Sequence, residues 1–322
     1  MKKARRPPLP EWVEPMLAVL TDERFSDPRW IFEPKLDGIR CLAFIQAGRV
    51  RLLSRNRKQL DGAYPEVAAA LGTLGHDAVL DGEIVALERG VSSFQRLQQR
   101  SGLRGGDAAA SRVRVHYYVF DVTHLDGRDL RELPLLERKA LLRSLVPRTG
   151  PVRVTPSRRT AGESYYEAAC RRGLEGVIAK RASAPYRGGR SDDWLKFKCI
   201  SEQEFVVGGY TDPQGSRSGL GALLVGYHEQ GALHFAGKVG TGFGARTLAQ
   251  LSARLARLGR ATSPFSDYRR RSPSIHWVRP ALVVQLGFQE WTVDGRLRQA
   301  RFLGIREDKR ASDVIRERPR TG

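Results

Sequence analysis

The sequence predicts an α+β chain in two parts: a larger domain of mixed antiparallel sheets and helices over residues 1–200, then a small β-barrel over 201–322. Three observations predict it. Apolar residues make up 41% of 322, enough for a sizeable core, and the length suits two domains of ordinary size. In the first 200 residues, strand-like and helix-like runs interleave without regular βαβ units. Beyond them the texture changes to short strand-like runs parted by glycine-rich turns, with one helix.

Taken in order, Ile31 to Glu33 reads as a short strand. Cys41 to Gln46 and Val50 to Ser54 flank Ala47-Gly48-Arg49 and read as a hairpin. Glu66–Leu74 has helical periodicity. Ala78 to Leu87 is strand-like apart from Asp81-Gly82-Glu83 in its middle, and Val113 to Val122 alternates and carries Tyr117, Tyr118 and Phe120. Pro134–Leu145 and Ser164–Arg172 are helical, and Gly176 to Lys180 and Trp194 to Lys198 are short strands. Ser101–Ser111 and Gly188–Asp193 read as surface loops. The joint between domains falls near Cys199–Glu202. Past it, Phe205 to Tyr210, Ala222 to Tyr227, Leu233 to Val239, Ala281 to Trp291 and Leu297 to Leu303 are strands, Ala245–Leu258 is a helix, and Asp212–Gly221 is a mobile loop. Five short strands and one helix suit a barrel of the OB kind.

Fifty-five Lys and Arg against 35 Asp and Glu leave a net charge of +20, which points to a polyanionic partner. The charge is spread: residues 1–200 hold 36 basic and 24 acidic side chains and 201–322 hold 19 and 11, so no basic tail hangs on a neutral body. No apolar run approaches the roughly 20 residues of a membrane span. Met1 to Pro10 is basic and proline-rich with no apolar core behind it, so a cytoplasmic, nucleoid-associated protein is expected rather than a secreted one. Cys41, Cys170 and Cys199 stand far apart without a C-x-x-C pair, and read as separate packed thiols of a reducing compartment.

The sharpest segment is Glu33-Pro34-Lys35-Leu36-Asp37-Gly38-Ile39-Arg40. A lysine is a nucleophile only when its amine is neutral, a state that burial and neighbouring cations favour. Arg40 offers bidentate contact to an anion. Read blandly, Asp-Gly is an ordinary turn between two strands. Lys196 and Lys198 alternate with Phe197 and so share one face of a strand. Two ammoniums on one face repel, which makes little structural sense without a phosphate between them.

K-x-D-G-x-R resembles the nucleophile motif of the covalent nucleotidyltransferases: ATP-dependent DNA ligases, RNA ligases and mRNA capping enzymes. Six further motifs of that superfamily follow in its order. They are Ser54-Arg55-Asn56, Leu80-Asp81-Gly82-Glu83, Tyr118-Val119-Phe120-Asp121, Glu175-Gly176-Val177-Ile178-Ala179-Lys180, Trp194-Leu195-Lys196-Phe197-Lys198 and Arg306-Glu307-Asp308-Lys309. With Pro15-Met16-Leu17-Ala18 and Gly237-Lys238-Val239-Gly240-Thr241-Gly242-Phe243, the chain is most similar to bacterial ATP-dependent DNA ligases of the end-joining type. The resemblance implies a nucleotidyltransferase (adenylation) domain followed by an OB-fold barrel. It implies ATP and Mg²⁺, with Mn²⁺ as an alternative, and three phosphoryl transfers: Lys35 takes AMP from ATP, AMP passes to the 5′-phosphate of a nick, and the 3′-hydroxyl displaces it.

Residue roles are carried over from the resemblance in the same way. Lys35 is the nucleophile, Asp37 assists the final 3′-hydroxyl attack or its metal, with Asp81 as a second candidate, and Lys198 joins Lys196 on the phosphates. Glu33 accepts from the adenine amino group and Phe120 stacks on adenine. Arg40 and Arg55 hold ribose and phosphate or the 5′-phosphate of the nick. Glu83 and Glu175 bind ribose hydroxyl and metal, and Arg190 is a further phosphate contact. Arg306, Asp308 and Lys309 orient pyrophosphate from the second domain, which swings about the joint at Cys199–Glu202 and then presents a DNA-binding face.

The zinc and helical additions of NAD-dependent ligases, the large helical domain of eukaryotic ligases, and the polymerase and phosphoesterase domains of some end-joining ligases are not found in the sequence. A minimal two-domain ligase, monomeric, acting on nicked duplex DNA beside a bacterial Ku-type end-binding protein, is the expectation. Arg257–Arg271, with Arg269-Arg270-Arg271, is the candidate phosphate grip. Two other readings stand beside it: an RNA ligase or capping-type guanylyltransferase, and a non-enzymatic nucleic-acid binder acting through its OB domain.

Overall fold

The computed structural model describes residues 9–100, 102–199, 201–213, 219–268 and 272–319. Its contacts divide the chain into two units, Met1–Cys199 with Pro319–Gly322, and Ile200–Arg318.

The first unit holds two sheets. The smaller has four strands in the order Met16–Leu20, Gly189–Lys198, Gly176–Arg181, Trp30–Lys35. Side chains alternate along each strand, so the sheet has two unlike faces. Phe32, Val177, Ala179 and Phe197 turn to the helix Gly162–Arg171 and form an apolar cluster with Trp30 and Ala169. The other face carries the charged set. The register pairs Gly176 with Lys35 and Lys198, Ile178 with Glu33 and Lys196, and Lys180 with Ile31 and Trp194.

The larger sheet runs Arg49–Ser54, Ile39–Gln46, Ala78–Glu88, Val115–Leu125, Arg128–Asp129, with Val91–Ser92 and Val152–Val154 attached. One face supplies the main core, where Cys41, Ala43, Leu80, Ile84, Tyr117 and Val119 meet Val67 and Leu71 of the helix Pro65–Gly72 and Leu142 and Leu145 of the helix Leu135–Leu145. Leu42, Phe44, Val79 and Phe120 on the other face pack with Met16, Tyr186 and Trp194. The charged face of the small sheet thus lies opposite this face of the large one.

In the second unit, six strands form a curled antiparallel sheet of the OB kind around Phe205, Val225, Val284 and Leu286, closed by Leu251 and Leu255 of the helix Ala245–Ala256. Its two long strands, Ser201–Thr211 and Ile275–Phe288, pair from end to end across a register shift between Val207 and Gly209. Such a bulge bends the strand.

Several sequence expectations need correcting. Gly189–Asp193 is not a loop but the first half of a strand, hidden by its charged residues and its parallel pairing with Met16–Leu20. The stretch 102–111 contains a short helix, Gly105–Ala109, masked by its two glycines. Ile275–Phe288 begins well before Ala281. Pro280 hid that start, yet it lies opposite the bulge, where residues 278–281 have no partner in Ser201–Thr211 and a missing N–H costs nothing. Parts of two expected loops, residues 214–218 and Arg269-Arg270-Arg271, lie outside the described residues.

The cysteines are a further correction. Cys41 is buried and free, whereas Cys170 and Cys199 form a disulfide. Cys170 ends the helix that covers the apolar face of the small sheet, and Cys199 directly follows that sheet's strand Gly189–Lys198. Packing brings together what 29 residues of sequence separate. Loop closure of that size stabilises by about 3.6 kcal/mol in the chain-entropy model. Reduction, or Cys170→Ser with Cys199→Ser, is therefore expected to lower the denaturant midpoint measurably. Identical midpoints with and without thiol would refute the link.

Candidate functional site

Lys35 ends a strand of the small sheet, and Leu36-Asp37-Gly38 carries the chain across to the large one. A Cβ on Gly38 would lie 2.2 Å from the carbonyl oxygen of Ile84, so only glycine lets this crossing press against the neighbouring strand. Asp37 anchors the turn: its N–H donates to Ser92 Oγ at 3.0 Å, and Phe94 N–H donates to its Oδ2 at 2.8 Å. Lys35 Nζ pairs with the Glu175 carboxylate, which precedes Gly176, the cross-strand partner of Lys35. Gly176 lies between Lys35 and Lys198 in the register, where the backbones pack closely. A Cβ there would lie 2.0 Å from the Phe197 carbonyl oxygen.

One row along the same face is Glu33, only 1% exposed. Its Oε2 lies 2.7 Å from Lys180 Nζ, and its Oε1 pairs with Lys139 Nζ. Lys139 also donates to the Phe120 carbonyl at 3.3 Å. Burial works to raise the Glu33 pKa, but the two ammoniums outweigh it and hold the carboxyl below its ordinary value. The Lys180 ammonium sits over the rings of Phe120, at 4.2 Å, and Trp194, at 3.9 Å. Burial pushes its pKa down to about 8, against the opposing pull of Glu33.

Across the gap, Arg40 grips Asp81 with both nitrogens, Nε to Oδ1 at 2.5 Å and Nη2 to Oδ2 at 2.6 Å. Tyr186 OH donates to Asp81 Oδ2 at 2.6 Å and accepts from Met16 N–H at 3.1 Å. Burial works against the charge of Arg40, and Asp81 outweighs it, so the guanidinium stays firmly protonated. It lies 4.6 Å over the Phe120 ring. Asp81, the second candidate for the 3′-hydroxyl step, is fully buried and holds Arg40 in place.

The facing sheets thus gather Glu33, Lys35, Glu175, Lys196 and Lys198 on one side, and Arg40, Glu83 and Phe120 on the other. Glu83 is the cross-strand partner of both Arg40 and Tyr118. Arg55 is half-buried just after the strand Arg49–Ser54, and Arg190 is exposed, donating to the Ala18 carbonyl at 3.3 Å. In the second unit Arg306 is clamped by Asp308, at 2.9 and 2.8 Å, and Lys309 lies 3.0 Å from Glu204.

Sequence reasoning quoted Lys180, Trp194 and Asp121 within motifs without a role, and missed Lys139, Tyr186 and Arg138; the two Asp121–Arg138 bonds measure 2.7 and 2.9 Å with both side chains fully buried. A signal existed for two of them. The buried stripe of the helix Leu135–Leu145 is Leu135, Arg138, Lys139, Leu142 and Leu145. Charges at apolar-stripe positions demand partners.

Comparison with known proteins matches residues 15–198 to the ATP dependent DNA ligase domain and residues 216–309 to the ATP dependent DNA ligase C terminal region. The multifunctional non-homologous end joining protein LigD of Pseudomonas aeruginosa is 40% identical over 99% of this chain and 38% of its own length. Its counterpart in Mycobacterium tuberculosis is 41% identical over 94% of this chain and 40% of its own. The chain therefore spans about two fifths of these curated relatives. Among solved structures, mycobacterial DNA ligase D complexed with ATP and MES is 37% identical, with a TM-score of 0.69 over 94% of this chain and 98% of that one.

Proposed function

The chain belongs to the ATP-dependent DNA ligase family, and we propose from this that it seals nicks between a 5′-phosphate and a 3′-hydroxyl through a lysyl–AMP intermediate on Lys35. ATP is the nucleotide. The observation that carries the reading is the row Lys35–Gly176–Lys198, with Glu175 against Lys35 and Lys196 one row away. It sets a nucleophilic amine, a carboxylate and two further cations on one face of the sheet, at a row where the backbone is packed too closely for any residue but glycine at position 176.

In the proposed first step Lys35 Nζ, as the neutral amine, attacks the α-phosphorus of ATP, the bond to pyrophosphate breaks, and the surplus amine proton leaves to solvent. Lys196 and Lys198 offset the phosphate charge, which in a water-poor site is the main catalytic need. Glu33 accepts from the adenine amino group, with Phe120 as one wall and Ile178 as the other. Arg40, fixed by Asp81, and Arg55 hold ribose and phosphate or the nick's 5′-phosphate, and Arg190 adds a phosphate contact at the rim. Asp37 serves the final 3′-hydroxyl attack, while Arg306 and Lys309 act on pyrophosphate.

Glu83 and Glu175 are hard oxygen donors of the kind Mg²⁺ takes together with phosphate oxygens and water. No group of three or more His, Cys, Asp or Glu side chains gathers among the described residues. Bound there, Mg²⁺ or Mn²⁺ would neutralise phosphate charge.

The named relatives are end-joining proteins, and DNA end joining or repair is the proposed setting, with nicked duplex DNA as substrate, a Ku-type end-binding protein as partner, a monomer as the working form and the nucleoid-bearing cytoplasm as the place. No helix among the described residues is long and apolar enough to cross a membrane. Incubation with α-labelled ATP or GTP in Mg²⁺, followed by nicked duplex, tests the function. Label from ATP that DNA chases off into joined product is expected. Label from GTP alone would indicate capping chemistry, and label that only RNA ends discharge would indicate an RNA ligase.

A further inference from the structure

We propose that Lys139 is a positioning residue for base specificity: from the helix Leu135–Leu145 it ties Glu33 to the strand bearing Phe120 and keeps that carboxylate an acceptor only. The pocket then takes a 6-aminopurine and rejects a 6-oxopurine. The inference rests on Glu33 facing the base, as proposed above.

Lys139 is fully buried, and its ammonium contacts both walls: Glu33 Oε1 on the small sheet and the Phe120 carbonyl, at 3.3 Å, on the large one. A single cation thus sets the relation between the acceptor and the strand of the stacking ring. Stability alone does not account for it, because buried ion pairs are often matched or bettered by apolar packing. Such a pair is better explained by what it keeps in register and in charge.

The chemistry follows from donors and acceptors. An ionised carboxylate only accepts, whereas a protonated one also donates. A 6-amino group donates to the former. A 6-oxo oxygen only accepts, so in the place of the 6-amino group it leaves two buried acceptors facing each other, and the ring must shift before the carboxylate can accept from its N1–H instead.

The charged and titratable groups around Glu33 are few. Lys139 comes from its helix and Lys180, at 2.7 Å, from the adjacent strand. Tyr165 feels Glu33 from the helix Gly162–Arg171, and Lys196 lies beyond Ile178 in the same row. Asp121 is matched by Arg138. Lys180 is the less secure of the two cations, since burial pushes its pKa down to about 8. Without Lys139, the pKa of Glu33 rises, and its protonated fraction grows as pH falls.

The test compares self-adenylation and self-guanylylation by the whole chain in wild type, Lys139→Met, Lys139→Arg and Glu33→Gln. In wild type the ATP-to-GTP preference is expected to be flat between about pH 5.5 and about pH 8.5, a window above the ordinary Glu pKa. In Lys139→Met, KM for ATP should rise by up to about tenfold per pH unit below the raised Glu33 pKa. The kcat at saturating ATP should change little, and labelling from GTP should grow in the same window. Lys139→Arg should restore the flat profile. A ratio in Lys139→Met that stays flat, or equal losses for both nucleotides at every pH, would overturn the proposal. If Lys139→Met does not fold, Lys139→Gln, which keeps donors to both partners without the charge, carries the same comparison. Glu33→Gln separates the two failures. If it leaves the ATP-to-GTP ratio at the wild-type value, Glu33 does not face the base. If it shifts the ratio while Lys139→Met does not, only the role of Lys139 falls.

Discussion

Lys35→Ala should lose covalent labelling from α-labelled ATP by about 10⁴-fold or more, as expected when the nucleophile itself is removed. Binding of nicked DNA should be nearly unchanged, because one cation is lost from 55 basic residues. Lys35→Arg should be equally inactive: a guanidinium keeps the charge beside Glu175 but offers no neutral amine at working pH. That second variant matters because Lys35→Ala leaves a nearly buried carboxylate without its partner, and poor folding would imitate lost chemistry. A melt close to wild type for Lys35→Arg, together with absent label, isolates the chemical step. Retained labelling in either variant would move the nucleophile elsewhere, with Lys198, the other end of the same row, the first residue to examine.

The second large effect is on stability. Asp121 and Arg138 are both fully buried and doubly hydrogen-bonded. Asp121→Ala strands a guanidinium away from water, and breaking such a pair costs about 3–5 kcal/mol. Native domains have only about 5–15 kcal/mol in hand, so the denaturant midpoint should fall steeply. Replacing both partners, Asp121→Leu with Arg138→Met, should recover most of the loss, because no orphaned charge remains. A single variant within about 1 kcal/mol of wild type, the scale of an exposed pair, would show that water reaches Arg138. Function should suffer in parallel. The pair ties the helix bearing Lys139 to the strand bearing Phe120, so nucleotide KM should worsen in Asp121→Ala even where the protein remains folded.

Which parts of this molecule a reader of the sequence could see depends on the range of the interactions. The hairpin about Ala47-Gly48-Arg49 was legible because its turn and both strands are local. Lys196 and Lys198 were legible as one face because alternation is local too. Glu33, Lys35, Glu175 and Phe120 were named through ordered motifs; the first three lie on or beside the small sheet, and Phe120 is on the sheet packed against it. Long-range pairing was not legible. Met16–Leu20 pairs in parallel with a strand more than 170 residues on, so no turn announces it. Asp81 looked like reactive chemistry because nothing nearby in sequence names Tyr186 as its second partner. Lys139 and Arg138 could have been suspected from their positions on an apolar stripe, but not their partners, which come from two different strands.

The bond between Cys170 and Cys199 makes residues 170–199 a closed covalent ring. The strands Gly176–Arg181 and Gly189–Lys198 lie inside it, and with them Glu175, Lys180, Lys196 and Lys198. Half of the small sheet, with its charged face, is therefore tethered at both ends. A protease cut in the exposed stretch at Arg187-Gly188 divides one polypeptide into two without parting them. The nicked protein keeps its two pieces together, and Lys196 and Lys198 stay laced to the helix end at Cys170. With thiol present, the same cut leaves two pieces held only by packing, so the ring decides whether a severed backbone is a scar or a separation.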